Sequence, residues 1–397
     1  MSSFRIGIIG LGGMGHHHAQ ACLAERDVML AAGCDLIAEK RAAWGRASGV
    51  PECSLYASYD EMLDREQLDV VIVATPASAH CAPVLAAARR GVHVLCEKPP
   101  ALTLRQADEM VSACENAGVK LAINHIKRGS NGNAIARHVI QAGAIGTPYL
   151  IRGECKGRRW AGSELMEMGT HLFDWLRLVA GDLRAGDPTW LFAHVVHEGR
   201  PAARADIVHS RHLPYQERDC GLVLGQRAFC AIGFPSGVHA DVHFLNQPSG
   251  KDDGYGFDIV GTEGTLALRR SVGTQLFLQR GPHRGPLGAG PWEEIPVDEG
   301  AGLTPAARAP LDAQGERLAC QRRMLRDLLD AINEDREPYS SGREGRAALE
   351  LVMAVWQSQR EGRPVRLPLA QREHPLEAWL AEPAGDGLPP PAPGTDV

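Results

Sequence analysis

A glycine-rich hexapeptide between an apolar strand and a helical stretch constrains this chain more than any other feature. The apolar run Phe4–Ile9 leads directly into a G-x-G-x-x-G pattern, which opens a predicted helix. Gly10 permits a tight turn, Gly12 lets the backbone approach a pyrophosphate, and Gly15 lets the helix pack closely on the strand. The pattern therefore predicts a dinucleotide-binding loop formed by Gly10, Leu11, Gly12, Gly13, Met14 and Gly15.

An acidic residue after the next apolar run strengthens this prediction. Asp35 follows Gly15 by 20 residues, at a place where a carboxylate accepts hydrogen bonds from the adenosine ribose. The alternative is a glycine-rich turn followed by a helix-capping aspartate, but the order strand, turn, helix, strand and acid favours dinucleotide binding. Because a carboxylate repels a 2′-phosphate, Asp35 favours NAD over NADP. Lys40 and Arg41, one turn into the next helix, keep NADP open as a second interpretation.

Short apolar runs alternate with helical stretches over residues 1–123. The predicted strands are 4–9, 28–34, 70–74, 92–96 and 119–123, and the predicted helices lie near 13–25, 38–48, 77–90 and 103–117. Strands separated by helices form parallel βαβ units. The expected fold class is therefore α/β, with an N-terminal Rossmann doubly wound parallel sheet that binds its ligand at the carboxyl ends of the strands.

After residue 123 the pattern changes to longer β-rich runs. These lie at 189–197, 221–234, 237–245, 255–261 and 264–268, and helices are predicted near 133–142, 164–180, 315–334 and 343–360. We expect an α+β domain over 124–370 with a large open, mostly antiparallel sheet. Glycine and proline concentrate in 281–310, which predicts a long irregular loop. The proline-rich residues of 371–397 predict a partly disordered tail.

Composition excludes several classes of function. The 397 residues carry a net charge of −6, which argues against a nucleic-acid partner. The ten cysteines contain no C-x-x-C pair and are typical of reduced thiols in a cytoplasmic protein. The long uncharged stretch 70–88 contains Pro76 and Pro83, so it predicts a strand, a loop and a helix and no membrane span.

A lysine follows the fourth predicted strand, at the ligand-binding edge of the sheet. Lys98 stands between Glu97 and Pro99, and a lysine there can bind a substrate hydroxyl and assist proton transfer. Taken alone, it is more typical of a solvated surface lysine.

The apolar helix at 164–180 carries a polar stripe. Glu167, His171 and Asp174 are spaced i, i+4 and i+7 and share one face. A carboxylate one turn from a histidine can orient the imidazole, and a second one can bind hydroxyls. The alternative is a solvent-facing stripe of an amphipathic helix.

Other polar clusters carry weaker signals. His194-x-x-His197 and His209-x-x-His212 have zinc-like spacing without a cysteine pair, and we predict no metal site. His239, Asp241 and His243 alternate along a predicted strand and most simply form a polar subunit contact. Lys127, Arg128 and Trp160 are candidate substrate contacts, because the cations can bind hydroxyls and sugar rings stack on indoles.

Together these residues resemble the glucose-fructose oxidoreductase / inositol dehydrogenase / MocA family of dehydrogenases over most of the chain, from Phe4 to about Leu369. The matching pieces, in this order, are the Gly10–Gly15 loop with His18, Asp35, Ala74-Thr75-Pro76 with His80, Glu97-Lys98-Pro99, Gly143-Ala144-Ile145-Gly146, Gly169-x-His171-x-x-Asp174, Gly261-Thr262-Glu263-Gly264-Thr265 and Ser341–Arg346. No piece is decisive alone, but the series is highly specific.

The resemblance implies a Rossmann domain followed by an α/β domain whose open sheet commonly forms dimers or tetramers. It implies reversible hydride transfer between a nicotinamide and a carbinol carbon of a sugar or polyol. Lys98 would bind the reacting hydroxyl, His171 would act as general base or acid, and Asp174 would hold a neighbouring hydroxyl. The residues at the nicotinamide side would be Thr75, Pro76 and His80, with Glu97 near its ribose.

The chain departs from the family pattern at two places. Glu167 stands where polyol dehydrogenases of the family usually have Asp, and the longer side chain shifts the carboxylate beside His171. The second place is the segment Asn124-His125-Ile126-Lys127-Arg128, where many members carry an arginine and a downstream proline. Both departures affect the expected substrate more than the hydride chemistry.

The predicted function is an NAD-dependent dehydrogenase that oxidises a secondary hydroxyl of a sugar, glycoside or cyclitol and forms a homodimer or homotetramer. One alternative is an NAD-dependent glycosidase that acts by transient oxidation, elimination and re-reduction. Another is a nucleotide sensor without catalysis, which the joint presence of Lys98, His171 and Asp174 argues against.

Overall fold

The computed structural model describes residues 3–157, 159–182, 185–213, 219–246, 255–270, 274–281, 291–298, 300 and 313–383. They fall into two compact units. Unit 1 comprises 1–131 and 299–347, and unit 2 comprises 132–298 and 348–397. The chain therefore leaves unit 1 and returns to it, whereas the sequence predicts two continuous domains.

Unit 1 contains a six-stranded parallel sheet in the order β3-β2-β1-β4-β5-β6. Its strands are β1 (Phe4–Ile9), β2 (Val28–Cys34), β3 (Leu55–Tyr56), β4 (Val70–Val73), β5 (His93–Cys96) and β6 (Leu121–Ile123). The helices that follow them are α1 (Gly13–Leu23), α2 (Ala38–Ser48), α3 (Tyr59–Arg65), α4 (Cys81–Arg89) and α5 (Leu104–Asn116). The doubly wound parallel sheet is confirmed; the sequence prediction missed β3 and α3, which are too short to show a clear period.

Unit 2 is built on a ten-stranded mixed sheet whose main path runs β17-β16-β15-β14-β7-β13-β12-β8-β18, with β9 paired to β8. The strands of unit 2, including the separate pair β10–β11, are β7 (Pro148–Gly157), β8 (Trp190–His197), β9 (Arg200–Pro201), β10 (Val208–His209), β11 (Leu222–Val223), β12 (Arg227–Gly233), β13 (His239–Asn246), β14 (Tyr255–Gly261), β15 (Gly264–Arg270), β16 (Thr274–Arg280), β17 (Glu293–Ile295) and β18 (Val365–Arg366). The pair β13–β7 is parallel and the other pairs of this sheet are antiparallel. The mostly antiparallel sheet is therefore confirmed.

Helices α6 (Asn131–Gln141), α7 (Ala161–Glu164) and α8 (Thr170–Asp182) belong mainly to unit 2. Five residues between α7 and α8, Leu165–Gly169, form a π-helical turn. Aromatic side chains hold α8 on the sheet, since Trp175 stacks on Phe257 at 4.2 Å and Phe173 contacts Phe244 at 5.8 Å between ring centroids. The predicted helix at 164–180 is therefore present with an interruption that periodicity does not reveal.

The last helices are α9 (Ala313–Asn333), α10 (Gly342–Glu361) and α11 (Pro375–Ala381). The apolar face of α9 enters the core of unit 1, where Leu325, Leu328 and Leu329 are buried with Ile6 and Leu95. Burial of this face is the main force that returns the chain to the first sheet.

Two predictions of irregular structure need correction. Within 281–310, β17 pairs with β16, and within the predicted tail 371–397 the segment Pro375–Ala381 is helical. Residues 282–290, 299, 301–312 and 384–397 lie outside the described residues.

Candidate active site

The glycine loop of unit 1 has the geometry of a phosphate cradle. Gly10 has φ +94°, and a Cβ there would lie 2.6 Å from the Ala74 carbonyl carbon. A Cβ on Gly15 would lie 2.2 Å from the Gly10 carbonyl oxygen, whereas a Cβ on Gly12 would meet no atom within 4 Å. Gly12 is also the N-cap of α1 and has no side-chain capping bond. The open backbone beside a helix N-terminus fits a pyrophosphate.

Asp35 holds this loop at the end of β2. One carboxylate oxygen accepts a hydrogen bond from the Leu11 N–H at 2.9 Å, and the other accepts one from the Ile37 N–H at 2.9 Å. A carboxylate has four acceptor positions, so ribose hydroxyls can still bind. The Arg41 guanidinium donates to the Asp35 carbonyl at 2.7 Å and to the Leu36 carbonyl at 3.2 Å.

Glu97, at the end of β5, is a buried anion with three donors. Its Oε1 accepts from His18 Nε2 at 2.8 Å and from Asn124 Nδ2 at 2.7 Å, and its Oε2 accepts from the Lys98 N–H at 3.3 Å. Burial opposes ionisation, but the hydrogen bond and charge of His18, with Asn124 and Lys98, lower the pKa of Glu97 to about 2. Neither His18 nor Asn124 was predicted as a site residue, although His18 belongs to the motif series and Asn124 begins the divergent segment 124–128.

His80 is buried under the loops that follow β4 and β5. Its Nε2 lies 2.7 Å from the Thr75 carbonyl oxygen and its Nδ1 lies 2.9 Å from the Pro99 carbonyl oxygen. Burial lowers the pKa of His80, although the backbone hydrogen bonds and Glu97 oppose that shift. The ring is 1% exposed, whereas Thr75 is half-buried and Pro76 is exposed.

Lys98 is half-buried and follows β5 at the carboxyl edge of the sheet, and its peptide bond to Pro99 is cis. Lys127 is half-buried in a short helical turn, Ile126–Gly129. Arg128, in the same turn, has a side chain that is only 3% exposed and lies 2.8 Å from Glu344.

The Arg128 guanidinium also donates to the Tyr339 carbonyl and lies 5.2 Å from the Tyr339 ring centroid. These contacts join the two chain segments of unit 1. They favour a structural role for Arg128 over the predicted substrate contact.

The polar stripe of unit 2 is buried. Glu167, His171 and Asp174 are 7%, 5% and 1% exposed, so the alternative of a solvent-facing stripe is wrong. Glu167 lies in the π-helical turn, a rare geometry that is frequent at functional sites. Burial of ionisable groups is costly unless they are paired and hydrogen-bonded, and clusters of such groups are frequent at functional sites. This face is therefore a candidate for chemistry.

Two residues beside the stripe, Cys220 and Glu164, were not predicted as site residues. The Cys220 thiol donates to Glu167 Oε1 at 3.3 Å, and the backbone N–H of Cys220 donates to Ser210 Oγ at 2.9 Å. Glu164 precedes Glu167 by three residues, a spacing that could have identified it. Trp160 is the N-cap of α7, and its ring contacts His197 edge-on at 5.2 Å.

Within the described residues, no three histidine, cysteine or acidic side chains are arranged to hold a metal ion. His194 is exposed and His197 is buried on β8, because residues three apart on a strand point to opposite faces. The first zinc-like pair therefore cannot converge on one ion.

Comparison with known proteins matches both halves of the chain. Residues 4–125 match a model described as an oxidoreductase family with an NAD-binding Rossmann fold, and residues 140–367 match the C-terminal alpha/beta domain of the same oxidoreductase family. The chain belongs to the glucose-fructose oxidoreductase / inositol dehydrogenase / MocA (Gfo/Idh/MocA) family. The resemblance inferred from its motifs is thereby confirmed, and this family member is an NAD-binding oxidoreductase.

Two curated relatives and one solved structure illustrate the similarity. The chain is 27% identical over 385 residues to D-apiose dehydrogenase of Paraburkholderia graminis, covering 94% of this chain and 92% of the relative. It is 32% identical over 251 residues to 1,5-anhydro-D-fructose reductase of Ensifer adhaerens, covering 60% and 67%. The WlbA dehydrogenase of Bordetella pertussis, in complex with NADH and UDP-GlcNAcA, has the same fold, with a TM-score of 0.72, 20% identity and coverage of 93% and 99%.

In the parts of this family member that the structure describes, no helix is both long and apolar enough to span a membrane. All ten cysteines lie within the described residues as thiols that form no disulfide bond, and eight of them are buried.

Proposed function

We propose that this protein is an NAD-dependent dehydrogenase that transfers a hydride between nicotinamide and a secondary hydroxyl of a sugar, glycoside or cyclitol. The observation that carries the proposal is Lys98 at the carboxyl edge of an NAD-binding sheet, directly after the buried anion Glu97. The names of the two curated relatives, one a dehydrogenase and one a reductase of sugars, support the substrate class.

The cofactor residues have separate tasks. The Gly12, Gly13, Met14 and Gly15 backbone at the start of α1 would hold the pyrophosphate, and Asp35 would bind the ribose hydroxyls. The chemistry that bound NAD would supply here is acceptance of a hydride from the carbinol carbon. Because the Asp35 carboxylate repels a 2′-phosphate and Arg41 donates to backbone carbonyls, we expect NAD to bind better than NADP.

The proton follows a separate path from the hydride. Lys98 would hold the reacting hydroxyl through its ammonium group, and His171 would accept the hydroxyl proton during oxidation and return it during reduction. Glu167 would orient His171, and Asp174 would hold a neighbouring hydroxyl. Lys127 and Trp160 remain proposed substrate contacts, whereas Arg128 does not. These roles rest on the family resemblance and on the burial of the polar stripe.

We also propose that the sheet of unit 2 forms a subunit contact in a homodimer or homotetramer. One face bears Phe244 and Phe257, which pack against α8. The opposite face bears Phe192 and Phe229, which are 39% and 36% exposed. His243 on the next strand contacts Phe229 edge-on at 5.4 Å. Exposed aromatics beside partly buried polar groups are typical of a protein interface.

The reduced state of the cysteines supports a reducing, cytoplasmic location as part of the same proposal. Eight of the ten thiols are buried as small apolar groups. Burial raises the pKa of Cys22 and Cys34 to about 12, so both thiols stay protonated and unreactive at neutral pH.

A substrate panel with two variants tests the catalytic proposal. Sugars, glycosides and cyclitols are incubated with NAD and NADP separately, and NADH formation and product are both measured. We expect Lys98→Ala and His171→Ala to lower kcat by about 100-fold to 10,000-fold with less than a three-fold change in the Kd of NAD. Lys120→Ala, which removes a lysine paired with Asp335, should leave kcat unchanged.

Three results would contradict the proposal in different ways. Product formation without NADH accumulation would indicate the redox-neutral glycosidase. Unchanged kcat in either site variant would remove that residue from the mechanism. Cofactor binding without turnover on any compound in the panel would favour the sensor.

A further inference from the structure

The two residues that flank Lys98 in the sequence, Glu97 and Pro99, each contact a buried histidine. The Glu97 carboxylate precedes Lys98 and lies 2.8 Å from His18 Nε2. The Pro99 carbonyl follows Lys98 and lies 2.9 Å from His80 Nδ1. We propose that His18 and His80 are positioning residues that together fix Lys98 for proton transfer. This inference rests on the proposed function.

The first histidine connects Lys98 to the phosphate-binding helix. His18 lies on α1 and is 2% exposed, and Glu97 is 5% exposed. The same carboxylate accepts from Asn124 after β6 and from the Lys98 N–H. One buried anion therefore joins α1, β5 and β6 to the backbone of Lys98, and a charge-assisted bond in a dry site is strong and directional.

The second histidine connects Lys98 to the other cofactor loop. The His80 imidazole lies between the Pro99 carbonyl and the Thr75 carbonyl, at 2.9 Å and 2.7 Å. A neutral imidazole donates to one of them, and a protonated one donates to both. The imidazole therefore lies between the loop after β4 and the loop after β5 and hydrogen-bonds one of them when neutral and both when protonated.

Neither histidine is suited to touch the substrate itself. Both rings are at most 2% exposed. His18 Nε2 is directed to Glu97, and both ring nitrogens of His80 are directed to backbone carbonyls. A lysine has four rotatable bonds, so its ammonium reaches a reacting hydroxyl reproducibly only when its backbone is fixed. An error of about 1 Å in such a group costs about 100-fold in rate.

The test uses the full chain and compares apolar with conservative replacements. His18→Leu and His80→Leu should each lower kcat at least ten-fold on the best compound of the substrate panel, with less than a three-fold change in KM and in the Kd of NADH. His18→Gln should recover most of the kcat, because its amide N–H can still donate to Glu97. His93→Gln is the matched control, since His93 accepts from the Lys120 N–H at the opposite end of β5.

A second readout does not depend on turnover. The rate of reductive methylation of Lys98 by formaldehyde and cyanoborohydride, measured by peptide mass spectrometry, should change at least three-fold in both Leu variants and stay constant in His93→Gln. A purely structural role would lower the melting temperature without changing this rate in the folded protein.

The outcomes separate this inference from the proposed function. If Lys98→Ala keeps full turnover, the proposed function fails. If Lys98→Ala is inactive but both Leu variants fold with wild-type kcat and methylation rate, only the positioning role is overturned. If the Leu variants do not fold, His18→Asn and His80→Asn are measured by the same criteria, and wild-type values in both overturn the inference.

Discussion

The glycines of the phosphate-binding loop differ in what a methyl group on each would meet. At Gly15 it would collide with the Gly10 carbonyl oxygen, whereas at Gly12 it would enter open space. Gly15 is therefore required by the packing of α1 on β1, and Gly12 is available to a ligand. The G-x-G-x-x-G pattern alone does not distinguish these two reasons.

The pair Gly12→Ala and Gly15→Ala tests this difference at the level of single residues. Gly15→Ala should lower the melting temperature by several degrees, because the backbone contact of 2.2 Å must be relieved. Gly12→Ala should keep the wild-type melting temperature and weaken NAD binding at least ten-fold, because the methyl group would occupy the pyrophosphate position. Each variant is the control for the other, and equal losses of stability in both would contradict the assignment.

Single residues show how far the sequence defines the site. Asp35 and Lys98 were predictable because each follows a strand of a recognisable βαβ unit. The motif series distinguishes His18 from its two histidine neighbours, but only the structure shows that His18 contacts Glu97. Arg128 was assigned to substrate because the sequence does not reveal its partner Glu344, which is 216 residues away.

At the level of elements, periodicity predicted most of the longer helices and strands but not their local irregularities or the short helices α3 and α11. The apolar spacing of 164–180 predicts one helix, and the π-helical turn at Leu165–Gly169 leaves no mark on that spacing. The strand β16 was not predicted, because glycine and charged residues in the flanking segments 271–273 and 282–290 interrupt the alternation of apolar and polar residues. The helix α11 was missed because proline-rich composition hid its N-terminal proline, which is favoured in the first helical turn.

The helix α11 provides a pH-dependent prediction. His374 is its N-cap: Nδ1 accepts from the Leu376 N–H at 3.3 Å, and the ring stacks on Trp356 at 5.0 Å. Burial lowers the pKa of His374 from 6.5 to about 4. The neutral histidine therefore contributes full stability above pH 6.5, and this contribution is lost as the pH falls from 6.5 towards 4, because only the unfolded chain binds the proton.

The variant His374→Asn keeps a capping oxygen and removes the titration. Between pH 7.5 and pH 5, the free energy of unfolding of the wild type should fall by about 2 kcal/mol more than that of the variant. Urea unfolding followed by tryptophan fluorescence measures the difference. Glu97, whose pKa is also lowered, loses its contribution only below about pH 4.5. His80, whose pKa is lowered by burial, titrates equally in both proteins, so the difference between them isolates His374. An equal fall in both proteins would refute the prediction.

At the level of the whole molecule, two domains were predictable but their interleaving was not. The sequence shows that α9 is amphipathic, and an amphipathic face fits either sheet. The choice of unit 1 depends on Leu325, Leu328 and Leu329 in its core. It also depends on Arg326, which pairs with Glu25 at 3.0 Å. Such matches between distant segments become visible only in three dimensions.

The outer face of the sheet in unit 2 makes the proposed assembly testable. Phe229 on β12 lies between His194 on β8 and His243 on β13, and its ring is 36% exposed. Phe229→Asp would place a charge at the centre of this face and should convert the oligomer into a species with the mass of one chain, measured by multi-angle light scattering. Burying an unpaired carboxylate in a subunit contact is too costly for the assembly to persist.

Tyr149→Asp is the matched control, because Tyr149 is 48% exposed at the start of β7 but its side chain lies on the other face of the sheet. A wild type that is itself a monomer, or a Phe229→Asp variant that keeps the wild-type mass, would exclude this face as the subunit contact.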